Sequence, residues 1–146
     1  MDAMDRAILD ELKANGRATA SEIGRRVSLS VPAVSERMRR LEESGIILGY
    51  AAMLDRALLG YGITAFIFVS IGSDDFVDDF RQAAIRQPAV LECHHMAGEY
   101  DYLLKVAAAD MRALEHFLRH VLKRIPGVAK TNTMLSLCCL KESVNP

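Results

Sequence analysis

TASEIGRRVSLSVPAVSERMRRLEESGIILG, Thr19 to Gly49, decides how the chain is read. Thr19 and Glu22 form a T-x-x-E capping box, in which the Thr hydroxyl accepts from the third helical N–H and Glu22 reaches back. Ile23 and Val27 then put apolar groups on one face of a first helix. Ser28 and Leu29 make a short turn. Ser30 is the next N-cap, and Pro32 is tolerated in the first turn that follows. In the second helix Val34, Met38 and Leu41 recur at i, i+4 and i+7 and face inward. Pro32, Glu36, Arg39, Arg40 and Glu43 fall on the opposite face, flanked by Ala33, Ser35 and Arg37. Gly45 ends that helix.

Two helices, a tight turn and an exposed second helix with a compact start describe a helix-turn-helix. The major groove of B-DNA admits one α-helix, and small residues at its beginning allow close approach. Ser30, Pro32, Ala33 and Ser35 are compact, and Glu36 lies beside them. Arg37, Arg39 and Arg40 have the reach for phosphates or guanine edges. The same pattern also fits a plain helical hairpin whose arginines are only solvated.

Working outward, residues 2–15 read as a preceding helix, capped by Asp2, with Met4, Ile8 and Leu12 as its stripe and Leu9 in support. Asn15-Gly16 stops it. Three such helices make a marginal core alone. Beyond Gly45 the character changes: Tyr50 to Leu54 is β-prone and suggests a wing or a linker strand, and DRALLGYG (55–62) a connector. Ile63–Ile71 is apolar on both faces and reads as a central strand. A helix over 76–87, strands over 90–96 and 102–107, a helix over 111–125 and a last strand over 128–140 complete the chain. In the 111–125 helix Met111, Leu114, Leu118, Val121 and Ile125 form the expected stripe. The order βαββαβ is the ferredoxin-like arrangement, a four-stranded antiparallel sheet with both helices on one face. The expected fold class is α+β: a winged helix-turn-helix over 1–50, a linker or strand over 51–62, and a second domain over 63–146. One sheet face stays uncovered yet carries apolar groups, which calls for a second subunit.

Composition narrows the function classes. The 146 residues carry 25% charged and 51% hydrophobic side chains, the balance of a globular chain, with net charge −1. Between residues 17 and 43, Arg17, Arg25, Arg26, Arg37, Arg39 and Arg40 exceed Glu22, Glu36, Glu42 and Glu43 by only two. A dimer has to double that local charge. No apolar run is long enough for a membrane span and no signal peptide is visible, so a cytoplasmic chain is expected, with Cys93, Cys138 and Cys139 as reduced thiols. His94 and His95 alternate along a strand and point to opposite faces. His116 and His120 stand at a metal-compatible i, i+4 spacing, but among arginines and a lysine. No metal site, no cofactor-binding motif and no catalytic set stands out.

Several segments, taken together, resemble the Lrp/AsnC (feast/famine) transcription regulators over essentially the whole chain. MDAMDRAILDELKANGR is similar to that family's L-D-x-x-D-x-x-I-L…G-R opening. LSVPAVSERMRRLEESGIILGYAAMLD resembles its L-S-x-x-x-V-x-x-R-x-x-x-L-E-x-x-G-I-I-x-G-Y segment, Gly60-Tyr61 its linker, and AGEYDYLLKV its G-x-x-D-Y-L-L motif. The resemblance implies a regulator that binds double-stranded DNA, with its recognition helix over Ser30–Glu43. It also implies an effector domain that binds an amino acid and assembles as dimers, tetramers or octamers. The family's effector loop maps onto Gly98, Glu99, Tyr100 and Asp101, with Thr131 and Thr133 in positions resembling ligand-lining ones. Asp101 is the expected anion for an ammonium group, and the Gly-containing turn the expected source of N–H donors for a carboxylate. Against this stands a plainer reading, in which Asp101 serves its own turn and the threonines are ordinary strand residues. Glu99 adds a second acid, which favours a basic ligand or is merely solvated. The sirohaem decarboxylases look like this architecture too, and make an enzyme the competing hypothesis, with Cys93, His94 and His95 as its candidates. The compact start of the 30–43 helix favours the DNA-binding reading.

Overall fold

A computed structural model of the chain describes residues 1–143 and residue 145. It divides into two compact units, Met1–Met53, with which Ser143 groups, and Leu54–Glu142.

The first unit holds α1 (Ala3–Ala14), α2 (Ala20–Val27) and α3 (Val31–Glu43). Each start is fixed by its capping residue. The Asp5 N–H donates to the Asp2 carboxylate (2.9 Å) and the Asp2 N–H to Asp5 (2.8 Å), a reciprocal box that opens α1. Thr19 and Glu22 repeat the arrangement at α2. Ser30 accepts from the Ala33 N–H to begin α3. Such caps satisfy N–H groups that have no partner within the helix. Ile8, Ile23 and Val34, all fully buried, form the small core, with Leu12, Val27, Leu29 and Met38 around them. Met4, expected on the α1 stripe, is exposed.

Between α2 and α3 the turn is tight for two reasons. Ser28 takes the left-handed conformation (φ 57°) and closes α2. Gly24 accepts from the Leu29 N–H at 2.9 Å, and a Cβ at Gly24 would stand 2.6 Å from the Leu29 carbonyl oxygen. Only glycine permits that approach.

The strand expected at Tyr50–Leu54 does not form. Residues 48–62 contain no strand, and Leu48, Met53, Leu54, Leu58 and Leu59 are exposed. A strand needs a ladder partner for its N–H and C=O groups, and no other described segment of this chain offers one.

The second unit is an antiparallel four-stranded sheet in the order β2-β3-β1-β4, built from β1 (Ile63–Ile71), β2 (Val90–His95), β3 (Tyr102–Ala108) and β4 (Val128–Leu135). A one-turn 3₁₀ helix at Asp74–Phe76 leads into α4 (Val77–Ile85), and α5 (Met111–His116) follows β3. Ala65, Ile67 and Val69 of β1 lie opposite Val106, Leu104 and Tyr102 of β3 and form the buried face. Phe80 and Ala84 of α4 and Leu114 of α5 pack in the same core. Alternation puts Thr64, Phe66, Phe68 and Ser70 on the other face, with Leu103, Lys105, Asn132 and Met134.

Two expected elements are shorter than their sequence signals. The helix expected over 111–125 is α-helical only to His116; a π turn, Phe117–Val121, and a 3₁₀ turn, Leu122–Arg124, complete it. A π turn adds a residue, so Phe117 and Leu122 both turn inward beside Leu114 and Ile125, while Met111 is exposed. Similarly, β4 ends at Leu135, with a last bond from the Ser136 N–H to the Thr64 carbonyl (2.9 Å), so Cys138 and Cys139 lie beyond the strand and are exposed.

Candidate nucleic-acid interface and effector turn

The outward face of α3 starts with Ser30, Val31 and Pro32 and continues through Ser35, Glu36, Arg39 and Arg40, all exposed, with Ala33 half-buried. Ser30 has a local task as the N-cap, and Pro32 lacks an N–H at a position that needs none. Arg39 donates to both Glu36 oxygens, at 2.8 and 3.1 Å, and also pairs with Glu43. These bonds push the Arg39 guanidinium up and hold the Glu36 carboxyl down. Arg40 approaches Glu36 at 3.8 Å. All of these groups are solvated, and exposed pairs of this kind are weak, so an incoming phosphate displaces them at little cost.

Arg37 departs from the expectation that it reaches DNA. Its Nη1 donates to Asp5 at 2.6 Å and to Asp2 at 2.7 Å, and its side chain is only 22% exposed. The guanidinium is turned toward the start of α1 and away from the outward face. Sequence reading missed this because the partners lie 32 and 35 positions away. The one available signal was a pair of acids at the N-cap and third position of α1, a pattern that local capping already explains.

The second candidate is the turn joining β2 to β3. A Cβ at Gly98 would meet nothing within 4 Å, so the turn is open there. Asp101 is tied into the sheet by three bonds. Its N–H donates to the Val69 carbonyl (3.0 Å), its carbonyl accepts from Met96 (2.8 Å), and its carboxylate Oδ2 accepts from the Ile71 N–H (2.7 Å). One oxygen of Asp101 therefore already serves the end of β1, and the other is left for an ammonium group. Its Oδ1 makes no hydrogen bond among the described residues. Glu99 is neutralised: Lys130 on β4 donates to it at 3.2 Å and sits 5.0 Å over the Tyr100 ring. That contact holds the Lys130 ammonium above its usual range. Tyr100 in turn packs on Phe68, with ring centroids 5.5 Å apart, on the uncovered sheet face.

Thr131 and Thr133 are not brought to these groups. They pair with Val69 and Ile67 and so lie on the helix-side face of an edge strand, whereas Lys130 and Asn132 share the face of Phe68 and Tyr100. Lys130 is the residue that the sequence reading missed at this turn, and strand alternation from Thr131 was the signal for it.

The remaining polar clusters are separate from both places. Lys105, near the middle of the uncovered face and 12% exposed, pairs with Glu142 and, at 3.0 Å, with Glu92; Arg56 also reaches Glu142 at 2.6 Å. His94 meets Glu92 on that face, while His95 stacks on Tyr102 on the other. The His116 and His120 rings lie 5.0 Å apart beside Arg112 and an Arg119–Glu115 pair. Among the described residues no three His, Cys, Asp or Glu side chains are grouped to hold a metal.

Two family models match the chain on either side of the connector: residues 1–47 match a winged helix-turn-helix DNA-binding model, and residues 64–146 the Lrp/AsnC ligand binding domain. The leucine-responsive regulatory protein of Escherichia coli K12 is 37% identical over 145 residues, 98% of this chain and 88% of that protein. A Neisseria meningitidis transcriptional regulator, solved in complex with L-Met, superposes with a TM-score of 0.93 at 36% identity, covering 99% of this chain and 94% of that one. A feast or famine regulatory protein of Mycobacterium tuberculosis, complexed with L-methionine, gives a TM-score of 0.93 at 34% identity, covering 99% and 97%.

Proposed function

The chain belongs to the Lrp/AsnC family of DNA-binding transcriptional regulators, and from that premise we propose that it reads DNA sequence through α3 and answers to an amino acid bound at the β2–β3 turn. The observation that carries this reading is a capped, glycine-tightened helix-turn-helix whose second helix presents a compact start and exposed arginines. Residues 1–50 bind DNA, 51–62 join, and 63–146 bind the effector and assemble. Ser30, Pro32, Ala33, Ser35 and Glu36 face the groove, and Arg39 and Arg40 meet phosphates or base edges. The effector contacts Gly98, Glu99, Tyr100 and Asp101, with Lys130 in place of the two threonines.

The partner of the uncovered sheet face is a second copy. Phe66, Phe68, Leu103 and Met134 give that face its apolar character, and the unpaired connector over 48–62 adds exposed leucines. Apolar surface of this extent marks an interaction site. Dimers, and tetramers or octamers built from them, also supply the positive charge that one protomer lacks. That the relatives are regulators supports a regulator over a tetrapyrrole enzyme, and a DNA partner supports a place of work in the cytoplasm. No helix among the described residues is long and apolar enough to cross a membrane.

A thermal-shift screen of the twenty amino acids tests the effector, since a ligand at about 100 times its Kd adds ~2.7 kcal/mol to the folded state. Asp101→Asn keeps an acceptor for the Ile71 N–H and removes the charge. It is expected to fold and to lose the shift at least tenfold in ligand concentration. A full response from this variant places the pocket elsewhere.

A further inference from the structure

Arg37 is the one arginine of α3 whose guanidinium is turned into the protein. We propose that Arg37 is a positioning residue: clamped by Asp2 and Asp5, it fixes the rotation of α3 about its own axis and so sets which side chains enter the groove. The proposal rests on the DNA-binding reading of α3 and adds to it a division of labour among the arginines.

The geometry supports this in three steps. First, apart from this clamp, α3 meets α1 and α2 through a small apolar core, centred on Ile8, Ile23 and Val34. Apolar contact is non-directional, so a few such side chains allow a helix to roll with little loss. A guanidinium held between two carboxylates at 2.6 and 2.7 Å is directional, because rolling α3 either way lengthens one bond or both. Second, the two carboxylates are themselves immobilised. Asp2 and Asp5 each accept the other's backbone N–H, so the clamp is anchored to the first turn of α1 and not to free side chains. Third, Asp5 is only 15% exposed, and the charge it holds is partly withdrawn from water, where such a bond is stronger than at the surface. A second ion pair, Arg26 with Glu11, ties α2 to α1 farther along. It acts on the helix that does not enter the groove, and leaves the rotation of α3 to Arg37.

A clamp and a phosphate contact predict opposite things. The probe is the tightest duplex that the wild-type protein selects from a random library, with a shuffled duplex of equal length as the non-specific reference. If Arg37 clamps, Arg37→Lys and Asp5→Asn each lower affinity for the selected duplex about tenfold. Affinity for the shuffled duplex, and the salt dependence of both, stay at wild-type values. Arg37→Lys keeps the charge, but its ammonium ends one bond short of the Nη1 from which Arg37 donates to both carboxylates. If Arg37 instead meets a phosphate, Arg37→Gln weakens both duplexes alike and lowers the salt slope by about one. Asp5→Asn then strengthens binding by freeing the guanidinium. Either result overturns the proposal, as does a variant that melts earlier but keeps the wild-type ratio of the two affinities when assayed well below its melting point. Should Arg37→Gln fail to fold, Arg37→Lys and Asp5→Asn decide the matter. If the wild-type protein selects no duplex at all, the DNA-binding reading fails first, and separately.

Discussion

The two units of this chain are held together by different means. The sheet unit rests on a continuous apolar core, in which Ala65, Ile67, Val69, Phe80, Leu104, Val106, Leu114 and Leu122 are all buried. The helical unit has three fully buried side chains at its centre. It makes up the difference with reciprocal caps at α1 and α2, the Ser30 cap at α3, and the ion pairs of Arg37 and Arg26. Burial of a large side chain contributes about 1.5–3 kcal/mol, and a cap about 1 kcal/mol. The helical unit is thus poised on many small directional terms, and the sheet unit on fewer kinds of larger, non-directional ones. A helix that fits a groove with fixed orientation benefits from direction, and the assembly proposed for the sheet unit would draw on apolar bulk.

Removing one core side chain from each unit gives the largest expected effect. Ile23→Ala and Phe80→Ala each lose about 2–5 kcal/mol by transfer and cavity terms. Taken from the small core, that amount unfolds α1–α3 and abolishes DNA binding. Taken from the large one, it lowers the melting temperature of a sheet that stays folded. Hydrogen exchange resolved by peptide distinguishes the two. Equal loss of protection in both units from either variant would end the comparison.

Gly24→Ala comes next. The new Cβ stands 2.6 Å from the Leu29 carbonyl oxygen, which is backbone and cannot swing aside. Forcing extra volume into packed structure costs about 1–3 kcal/mol. The loss is confined to the helix-turn-helix. Gly98→Ala, with nothing within 4 Å of the added carbon, serves as the tolerated control in the other unit. The check is the unfolding transition followed by α2 and β3 amide signals; a Gly24→Ala protein with wild-type α2 signals sinks the steric account.

The same contrast governs what was legible in the sequence. Caps, turn residues and the i, i+4, i+7 stripe are local, so Asp2, Thr19, Ser30, Val34 and Leu41 announce the helix-turn-helix without any knowledge of tertiary structure. The strand order also follows from alternating element types. What escaped is non-local. The Arg37 clamp joins positions 32 and 35 apart. The sequence leaves Asp101 open between an ammonium contact and a turn residue, because its bond to the Ile71 N–H depends on where β1 ends against β3. Thr131 and Thr133 resemble ligand-lining positions on the last strand, but which face they take depends on the β1–β4 register, which puts them on the side away from Tyr100. The π turn after His116 redirected Phe117 and Leu122 inward, which a fixed 3.6 period does not anticipate. Tyr50–Leu54 has strand propensity but no partner within the described chain, and propensity alone makes no ladder.

Acid provides the smallest of these effects and the most selective one. Asp2 titrates at about 2 instead of 3.8, first because it accepts the Asp5 N–H and next because it accepts from Arg37. Asp5 is lowered by the matching bond from Asp2 and again by Arg37, and Glu22 by the Thr19 N–H. A carboxylate with a depressed folded-state value contributes its full stabilisation above its unfolded value and loses it as the pH falls through the folded one. For Asp2 that window runs from roughly pH 4 down to 2. Sheet-unit carboxylates are lowered too: Glu92 by His94 and then Lys105, Glu142 by Lys105 and then Arg56. Those two, however, decorate a face whose opposite side is packed with apolar groups that do not titrate, whereas the helical unit depends on its carboxylates for its caps. The α1 amide signals should therefore weaken before those of β1 and β3 as pH drops from 4 to 2. Asp2→Asn should be less stable than wild type at pH 6 and should approach it as the pH nears 2, because the substituted protein has no such charge to lose. Parallel stability curves for the two proteins across that window would mean that the reciprocal box at the start of α1 holds no more strongly as a charge than as a dipole.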